Sequence, residues 1–326
     1  MTQKMLNDAI EYARTFIHEG EVASYIPELA KGNKDHLGGC IMTVDGTCFH
    51  VGDWQQTFTM QSISKTISLI LALQTAGTEK VFSRVGVEPT GDAFNSMLKL
   101  ELKDGKPLNP MINAGAIATV SCIPGEDPFG QFMALTRRLC RRDSIEMDEA
   151  VYLSEKATGM RNRSMAYFMQ SEGVFGPDEV VEDILDIYFK MCSVSVNTED
   201  LANYGMIMAN GGVDPFTGEK LVEDWILRIV KTLMMTCGLY DGSGRFAIRV
   251  GIPTKSGVGG GMLSVVDGRM GISIFSPALD DKGNSVGGYR ALEYLSNALN
   301  LHYFSQENYK SKVVKGTEKI IKEMHF

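Results

Sequence analysis

Residues 60–75 read "MQSISKTISLILALQT". A serine, Ser62, and a lysine, Lys65, stand three apart at the front of a run that is apolar on nearly every side. Positions i and i+3 share one face of a helix, and Leu69 and Ile70 continue near that face. All-round apolarity marks a buried helix, so the lysine sits at the lip of a core. A first helical turn favours anions rather than cations. That helix end and partial burial both push a lysine toward its neutral form. A neutral amine beside a serine hydroxyl can take its proton, which is what a serine nucleophile needs when no histidine serves. Taken alone the pattern is weak. Two fixed positions in four recur by chance, and a serine cap followed by a lysine snorkelling to water explains them without chemistry.

A second stretch changes the balance. "PTKSGVGGG" (253–261) carries Lys255-Ser256-Gly257 on a predicted strand. S-x-x-K at a helix opening with K-T-G on a strand is the nucleophile set of penicillin-recognising hydrolases. A phosphate loop does not fit, because Lys255 precedes the glycines instead of following them into a helix. The third element of that set is S-D-N-like, and Ser195-Val196-Asn197 matches it formally. It runs into "TEDLANYG", however, so Asn197 or Thr198 reads as a helix N-cap and the triplet as a decoy. Tyr188 and Tyr240 are the better candidates for further proton handling, against the alternative that both are core aromatics.

Outward from these motifs, "GGCIMTVDGTCFHVGD" (38–53) has an Asp45-Gly46 turn between two short alternating segments, a hairpin signal. "GRFAIRVGIPTKSGVGGGMLSVVDGRMGISIFSP" (244–277) reads as three strands, the last two joined at Asp267-Gly268. Between them, "DPFGQFMALTRRLCRR", "DEVVEDILDIYFKMCSV" and "TEDLANYGMIMANGG" repeat apolar residues with helical period. "GGYRALEYLSNALN" predicts a last helix, and Leu6, Ile10, Ala13 and Ile17 mark an amphipathic first one. The expected fold is α/β of the α+β type: an antiparallel sheet built from N- and C-terminal segments, flanked by helices, with an inserted all-helical lobe. The expected sheet lobe covers about 1–62 and 237–305, and the helical lobe about 63–236. Residues 1–305 then form one catalytic domain, followed by a basic tail at 306–326. A crevice between lobes is the natural ligand site.

Composition narrows the function. The 326-residue chain is 44% apolar with net charge −8, and its pI of 5.3 argues against nucleic acid or an anionic membrane as partner. The tail "YKSKVVKGTEKIIKEMHF" is the one basic cluster and reads as a short surface or inter-subunit helix. Six scattered cysteines without C-x-x-C, and an N-terminus without a continuous apolar core, predict free thiols in a reducing cytoplasm. No run approaches the about 20 apolar residues of a membrane span. The five histidines show no H-x-x-x-H pattern or metal-type His/Cys spacing, so neither metal nor cofactor is expected.

Six longer segments then carry a specific resemblance: "YIPELA" (25–30), "QSISK" (61–65), "NPMINAGAI" (109–117), "VYLSEKATGMRNRSMA" (151–166), "CGLYDGSGRFA" (237–247) and "KSGVGGG" (255–261). Together they resemble the serine-dependent glutaminases, over about residues 20 to 305, without an ankyrin extension. The resemblance implies a β-lactamase/penicillin-binding-protein-like fold and hydrolysis of L-glutamine to L-glutamate and ammonia. It implies Ser62 as nucleophile and Lys65 as its proton acceptor. It places substrate contacts on Ser62, Asn113, Glu155, Asn162, Tyr188, Tyr240 and the backbone of Val258, with Tyr25 on a loop over the site. Tyr240 and Lys255 are the candidates for steering protons, and a homodimer or homotetramer is implied. Glutamine's ammonium calls for a buried acid, and Glu155 would serve, against the alternatives that Glu155 is a surface acid on a frayed helix end and Asn162 a helix cap. Two alternatives remain at this stage: a β-lactamase- or peptidase-like serine hydrolase, and a non-catalytic amino-acid sensor that has kept the pocket.

Overall fold

The structure, a computed structural model, describes residues 3–91, 97–101 and 105–305; the basic tail lies outside them. Seven strands occur among the described residues: β1 (Gly38–Thr43), β2 (Cys48–Gly52), β3 (Phe58–Thr59), β4 (Ser195–Val196), β5 (Thr254–Ser256), β6 (Gly261–Val266) and β7 (Met270–Phe275). The helices are α1 (Gln3–Arg14), α2 (Ser64–Arg84, broken at Gly77), α3 (Leu98–Glu101), α4 (Asn113–Val120), α5 (Pro128–Cys140) and α6 (Glu149–Thr158). They continue with α7 (Met160–Ser171), α8 (Val181–Cys192), α9 (Thr198–Ala209), α10 (Asp224–Cys237), α11 (Ser243–Arg249) and α12 (Val286–Leu299).

The main sheet runs β2-β1-β7-β6-β5, antiparallel throughout. Its central contact pairs β1 with β7, so the two ends of the chain meet as expected, Ile41 opposite Ile272. The predicted turns hold: Gly46 and Gly268 take φ of +88° and +68°, the left-handed region that Asp-Gly turns need. Alternate strand residues feed two cores. Ile41, Met262, Ile272 and Ile274 join α1 and α12 on one face. Cys40, Met42, Leu263 and Val265 join the helical lobe on the other, through α9. Burial on both faces is why β6 and β7 read as nearly unbroken apolar runs.

The three strands expected within 244–277 are β5, β6 and β7. Ahead of them residues 243–249 form α11. Ser243, Phe246 and Val250 are buried while Ile248 is exposed, a helical repeat hidden under β-favouring residue types. One expectation is corrected: the inserted lobe is not wholly helical. Ser195–Val196 pairs with Phe58–Thr59 as a separate two-stranded sheet. The S-x-N decoy is resolved there as well, since Asn197 caps α9 in a capping box with Asp200.

Candidate active site

The chain reaches Ser62 through an unusual turn. Met60 N–H donates to Val194 O, anchoring the end of β3 to the insert. Gln61 then takes φ of +47°, which a non-glycine residue adopts only where its surroundings hold it. Residues 61–63 form one turn of 3-10 helix, closed by Ser64 Oγ donating to Gln61 O, before α2 begins. Ser62 in that turn and Lys65 in the first turn of α2 stand three apart on one face, and Lys65 Nζ lies 2.6 Å from Ser62 Oγ.

Lys65 does not snorkel; it is 1% exposed. Its second hydrogen bond goes to Asn113 Oδ1 at 2.9 Å, and Asn113 Nδ2 donates to Asn162 Oδ1 at 3.0 Å. The Tyr188 ring centre is 5.9 Å from Nζ. Burial pulls the ammonium down to about 8, against smaller opposing pulls from Cys192 and Glu155. About a tenth of the amine is then neutral at pH 7, where an ordinary lysine has well under a thousandth.

The other side of Ser62 is formed by the sheet edge. Gly257 and Gly259 lie flat on the incoming chain: a Cβ at Gly257 would stand 2.6 Å from Met60 O, and one at Gly259 2.6 Å from Thr59 O. Only glycine allows that approach, and it brings the Val258 backbone beside the serine turn. Next to this loop Lys255 is fully buried, its Nζ donating to Ser256 O at 2.6 Å and Gly238 O at 3.0 Å. Burial, then the nearby Lys65, holds its pKa well below the usual lysine range. Its Nζ lies 4.5 Å from the Tyr240 ring centre. Tyr240 occupies a left-handed position (φ +54°) in a 3-10 turn, with its hydroxyl toward the Ser62 side chain and Ser256 O. Burial pushes that hydroxyl up to about 12.

The insert supplies the remaining wall. Glu155 stands near the end of α6 and Asn162 in the first turn of α7, with Gly159 between the two helices. The two residues thus flank the break between the helices. Glu155 is buried, and that burial raises its carboxyl to about 7 despite opposing pulls from Lys65 and Gln61. Tyr188, from α8, is buried with its hydroxyl near Cys192, and desolvation lifts its pKa far above the ordinary value. Tyr25 covers this group from the N-terminal loop. The residue is half exposed overall, but its hydroxyl points inward to Glu155 and Tyr240, where burial raises its pKa strongly. Outside lies a cleft of about 550 Å³ lined by Tyr25, Val258, Asp241 and Lys282.

The other nine sequence-selected positions thus gather around the buried Ser62. Sequence reasoning left Gln61 without a role, although its Nε2 stands 3.5 Å from Glu155 Oε2. Ser256 and Asn284, joined at 2.7 Å under the Lys255 strand, were also unassigned. "QSISK" contains Gln61, but nothing in that text signals a left-handed residue.

An antiparallel sheet with a helical insert, a buried serine–lysine pair between them and K-S-G on the sheet edge define a β-lactamase-like fold. Comparison with known proteins makes the class particular. The glutaminase family profile matches residues 20–304. Glutaminase 2 of Clostridium perfringens (strain 13 / Type A) is 52% identical over 306 residues, covering 93% of this chain and all of that protein. A solved structure of the probable glutaminase ybaS has a TM-score of 0.87 at 38% identity, covering 94% of this chain and 100% of that one. The probable glutaminase from Bacillus subtilis complexed with 6-diazo-5-oxo-L-norleucine has a TM-score of 0.85 at 37% identity, covering 93% and 97%. This chain belongs to the glutaminase family.

Proposed function

We propose that the chain is an amidohydrolase that converts L-glutamine to L-glutamate and ammonia through a γ-glutamyl ester on Ser62. The observation that carries this mechanism is a fully buried Lys65 with Nζ 2.6 Å from Ser62 Oγ. The neutral amine takes the hydroxyl proton as Oγ bonds to the carboxamide carbon. Negative charge on the amide oxygen is met by the N–H groups of Ser62 and Val258, each worth about 3 to 4 kcal/mol in such a role. The C–N bond breaks as the nitrogen receives a proton, and ammonia leaves. Water then adds to the ester, gives up a proton within the site, and releases glutamate as Oγ regains its hydrogen. Tyr240 and Lys255 steer protons in these steps from the far side of Ser62.

Recognition follows from charge. Glu155 meets the substrate's ammonium, whose arrival favours the ionised carboxylate. Asn113, Asn162 and Tyr188 offer uncharged groups to the carboxylate and amide, and Tyr25 closes over them. Residues 1–305 act as one catalytic domain, without metal or cofactor in the reaction itself. Six unpaired thiols support work in the cytoplasm, and among the described residues no helix is long and apolar enough to cross a membrane. Self-association as a dimer or tetramer is supported by Ile248 and Phe304, 80% and 79% exposed on neighbouring segments.

The test is ammonia release from L-glutamine and L-asparagine, and the colour change on ring opening of a chromogenic β-lactam, by wild type and Ser62→Ala. The proposal requires turnover of glutamine in preference to the other two, and its loss in the variant by about 10⁴-fold or more. A diazo-ketone glutamine analogue must label Ser62. Label elsewhere, or hydrolysis surviving Ser62→Ala, ends the assignment.

A further inference from the structure

The free edge of the main sheet carries a second group of reactive side chains that the reaction does not use. Cys40 on β1 pairs directly with His50 on β2, and Met42 with Cys48. Cross-strand partners share a face, and so do residues two apart on one strand. Both thiols and the imidazole therefore point the same way, toward α9. Cys40 Sγ is 3.4 Å from Cys48 Sγ, and Cys48 Sγ is 3.2 Å from His50 Nε2. The three ligand atoms lie within 4.8 Å of one another. Glu199, in the first turn of α9, brings Oε2 to 3.2 Å from the same His50 nitrogen. The Trp54 ring stacks on the imidazole at 3.9 Å. Cys40 is buried, whereas Cys48 and His50 are partly open because β2 is the edge strand.

These separations can be compared with what a cation needs. A tetrahedral zinc ion with ordinary Zn–S and Zn–N bonds sets its ligands about 3.8 Å (S to S) and about 3.6 Å (S to N) apart. The Cys40–Cys48 and Cys48–His50 separations differ from those spacings by about 0.4 Å, and Cys40 Sγ and the His50 ring nitrogen lie within 4.8 Å, so side-chain rotations bring the set together. Two thiolates and an imidazole select zinc over magnesium or calcium, and a carboxylate in fourth place suits zinc better than monovalent copper. We propose that Cys40, Cys48 and His50, closed by Glu199, form a tetrahedral zinc site that clips the β1–β2 hairpin to the start of α9. Binding makes two Zn–S bonds, one Zn–N bond and one Zn–O bond, and releases the two thiol protons to solvent. The sequence pattern did not predict the site because its ligands lie on two strands and a distant helix, and Cys48-Phe-His50 alone is too short to resemble a zinc motif.

The full chain, reduced and stripped with a chelator, is titrated with Co²⁺ as a spectroscopic probe and then with Zn²⁺ as competitor. One equivalent of Co²⁺ is expected to bind with a near-ultraviolet thiolate-to-cobalt band and the visible spectrum of a tetrahedral ion, and Zn²⁺ abolishes both. Cys48→Ser reduces the band to about half, with one of two thiolates gone. Glu199→Gln weakens affinity about 10- to 100-fold. Both variants keep glutamine turnover, which verifies their fold. Zn²⁺ also slows alkylation of Cys48 in the wild type. No sulfur-ligated cobalt band in the reduced wild type overturns the proposal, as does a band unchanged in His50→Gln and Cys48→Ser, or alkylation indifferent to Zn²⁺.

Discussion

Asn113→Asp is the sharpest probe of the lysine's protonation state. Asn113 Oδ1 accepts from Lys65 Nζ at 2.9 Å, and the substitution places a carboxylate there without a change of shape. With charge centres about 4 Å apart and an effective dielectric of about 20, the attraction is about 4 kcal/mol, or about three pKa units. From about 8 the amine moves to about 11, and its neutral share at pH 7 falls from about a tenth to about one in ten thousand. A rotation of the Asn162 amide restores the hydrogen bond between the two side chains, with its nitrogen now donating. The assay is kcat/KM for glutamine against pH, followed by ammonia release. Wild type should rise through a midpoint near 8. Asn113→Asp should lose about 10³-fold at neutral pH and climb about tenfold per unit in alkali. Asn113→Ala removes the acceptor without adding charge, so its midpoint stays put or drops. A loss equal at every pH, with the midpoint unmoved in Asn113→Asp, refutes Lys65 as the base.

Other perturbations read neighbouring parts of the site. Glu155 titrates near 7 in the fold against 4.5 as a free group. The raised value contributes stability in acid, fully present below the unfolded pKa and lost as pH rises through 7. Glu155→Gln has no such loss, so it should gain up to about 3 kcal/mol over wild type at pH 8 and little at pH 4 in denaturant melts, while KM rises. Equal differences at both pH values would contradict buried ionisation. Tyr240→Phe should lower kcat far more than it raises KM, since only the hydroxyl near Ser62 is removed; steady-state kinetics decide, and an intact kcat removes Tyr240 from the chemistry. Gly257→Ala puts a Cβ 2.6 Å from Met60 O. It should cut kcat at least about tenfold by shifting the Val258 donor, and an unchanged kcat would mean the loop plays no part.

Legibility in the sequence followed the range of the interactions. Ser62 and Lys65 were readable because one helical turn brings them together, and the two Asp-Gly hairpins because each turn carries its own chemistry. The fold class followed from the position of strand-like text at both ends of a helical middle. Residues 244–249 carry β-favouring side chains on a short helix, and the burial of Phe246 against the exposed Ile248 marks its helical face. Asn113, Glu155 and Asn162 carry no local signal, since three helices converge on them through packing of the whole lobe. They were reached through resemblance alone. Gln61 and the Cys40, Cys48 and His50 group were missed because a left-handed backbone and a cross-strand face exist only in three dimensions.

The buried charges explain why the pocket is built around two lysines. The hydrogen bonds of Lys65 go to Ser62 and Asn113, and those of Lys255 to two carbonyls, all neutral oxygens. Burial pushes both amines toward neutrality, and a charge on Lys65 pushes Lys255 further. In the proposed reaction, a proton taken up by Lys65 would push Lys255 further toward its neutral form. The same proton acts oppositely on Glu155, whose carboxylate is favoured by a charged Lys65. On that proposal, proton transfer to Lys65 would favour the ionised form of Glu155, the group assigned to the substrate's ammonium. The coupling is reciprocal, because the Glu155 carboxylate raises the Lys65 pKa. Glu155→Gln should consequently lower the midpoint of the kcat/KM profile, whereas Asn113→Asp raises it. Shifts in the same direction for the two variants would break this account of the site.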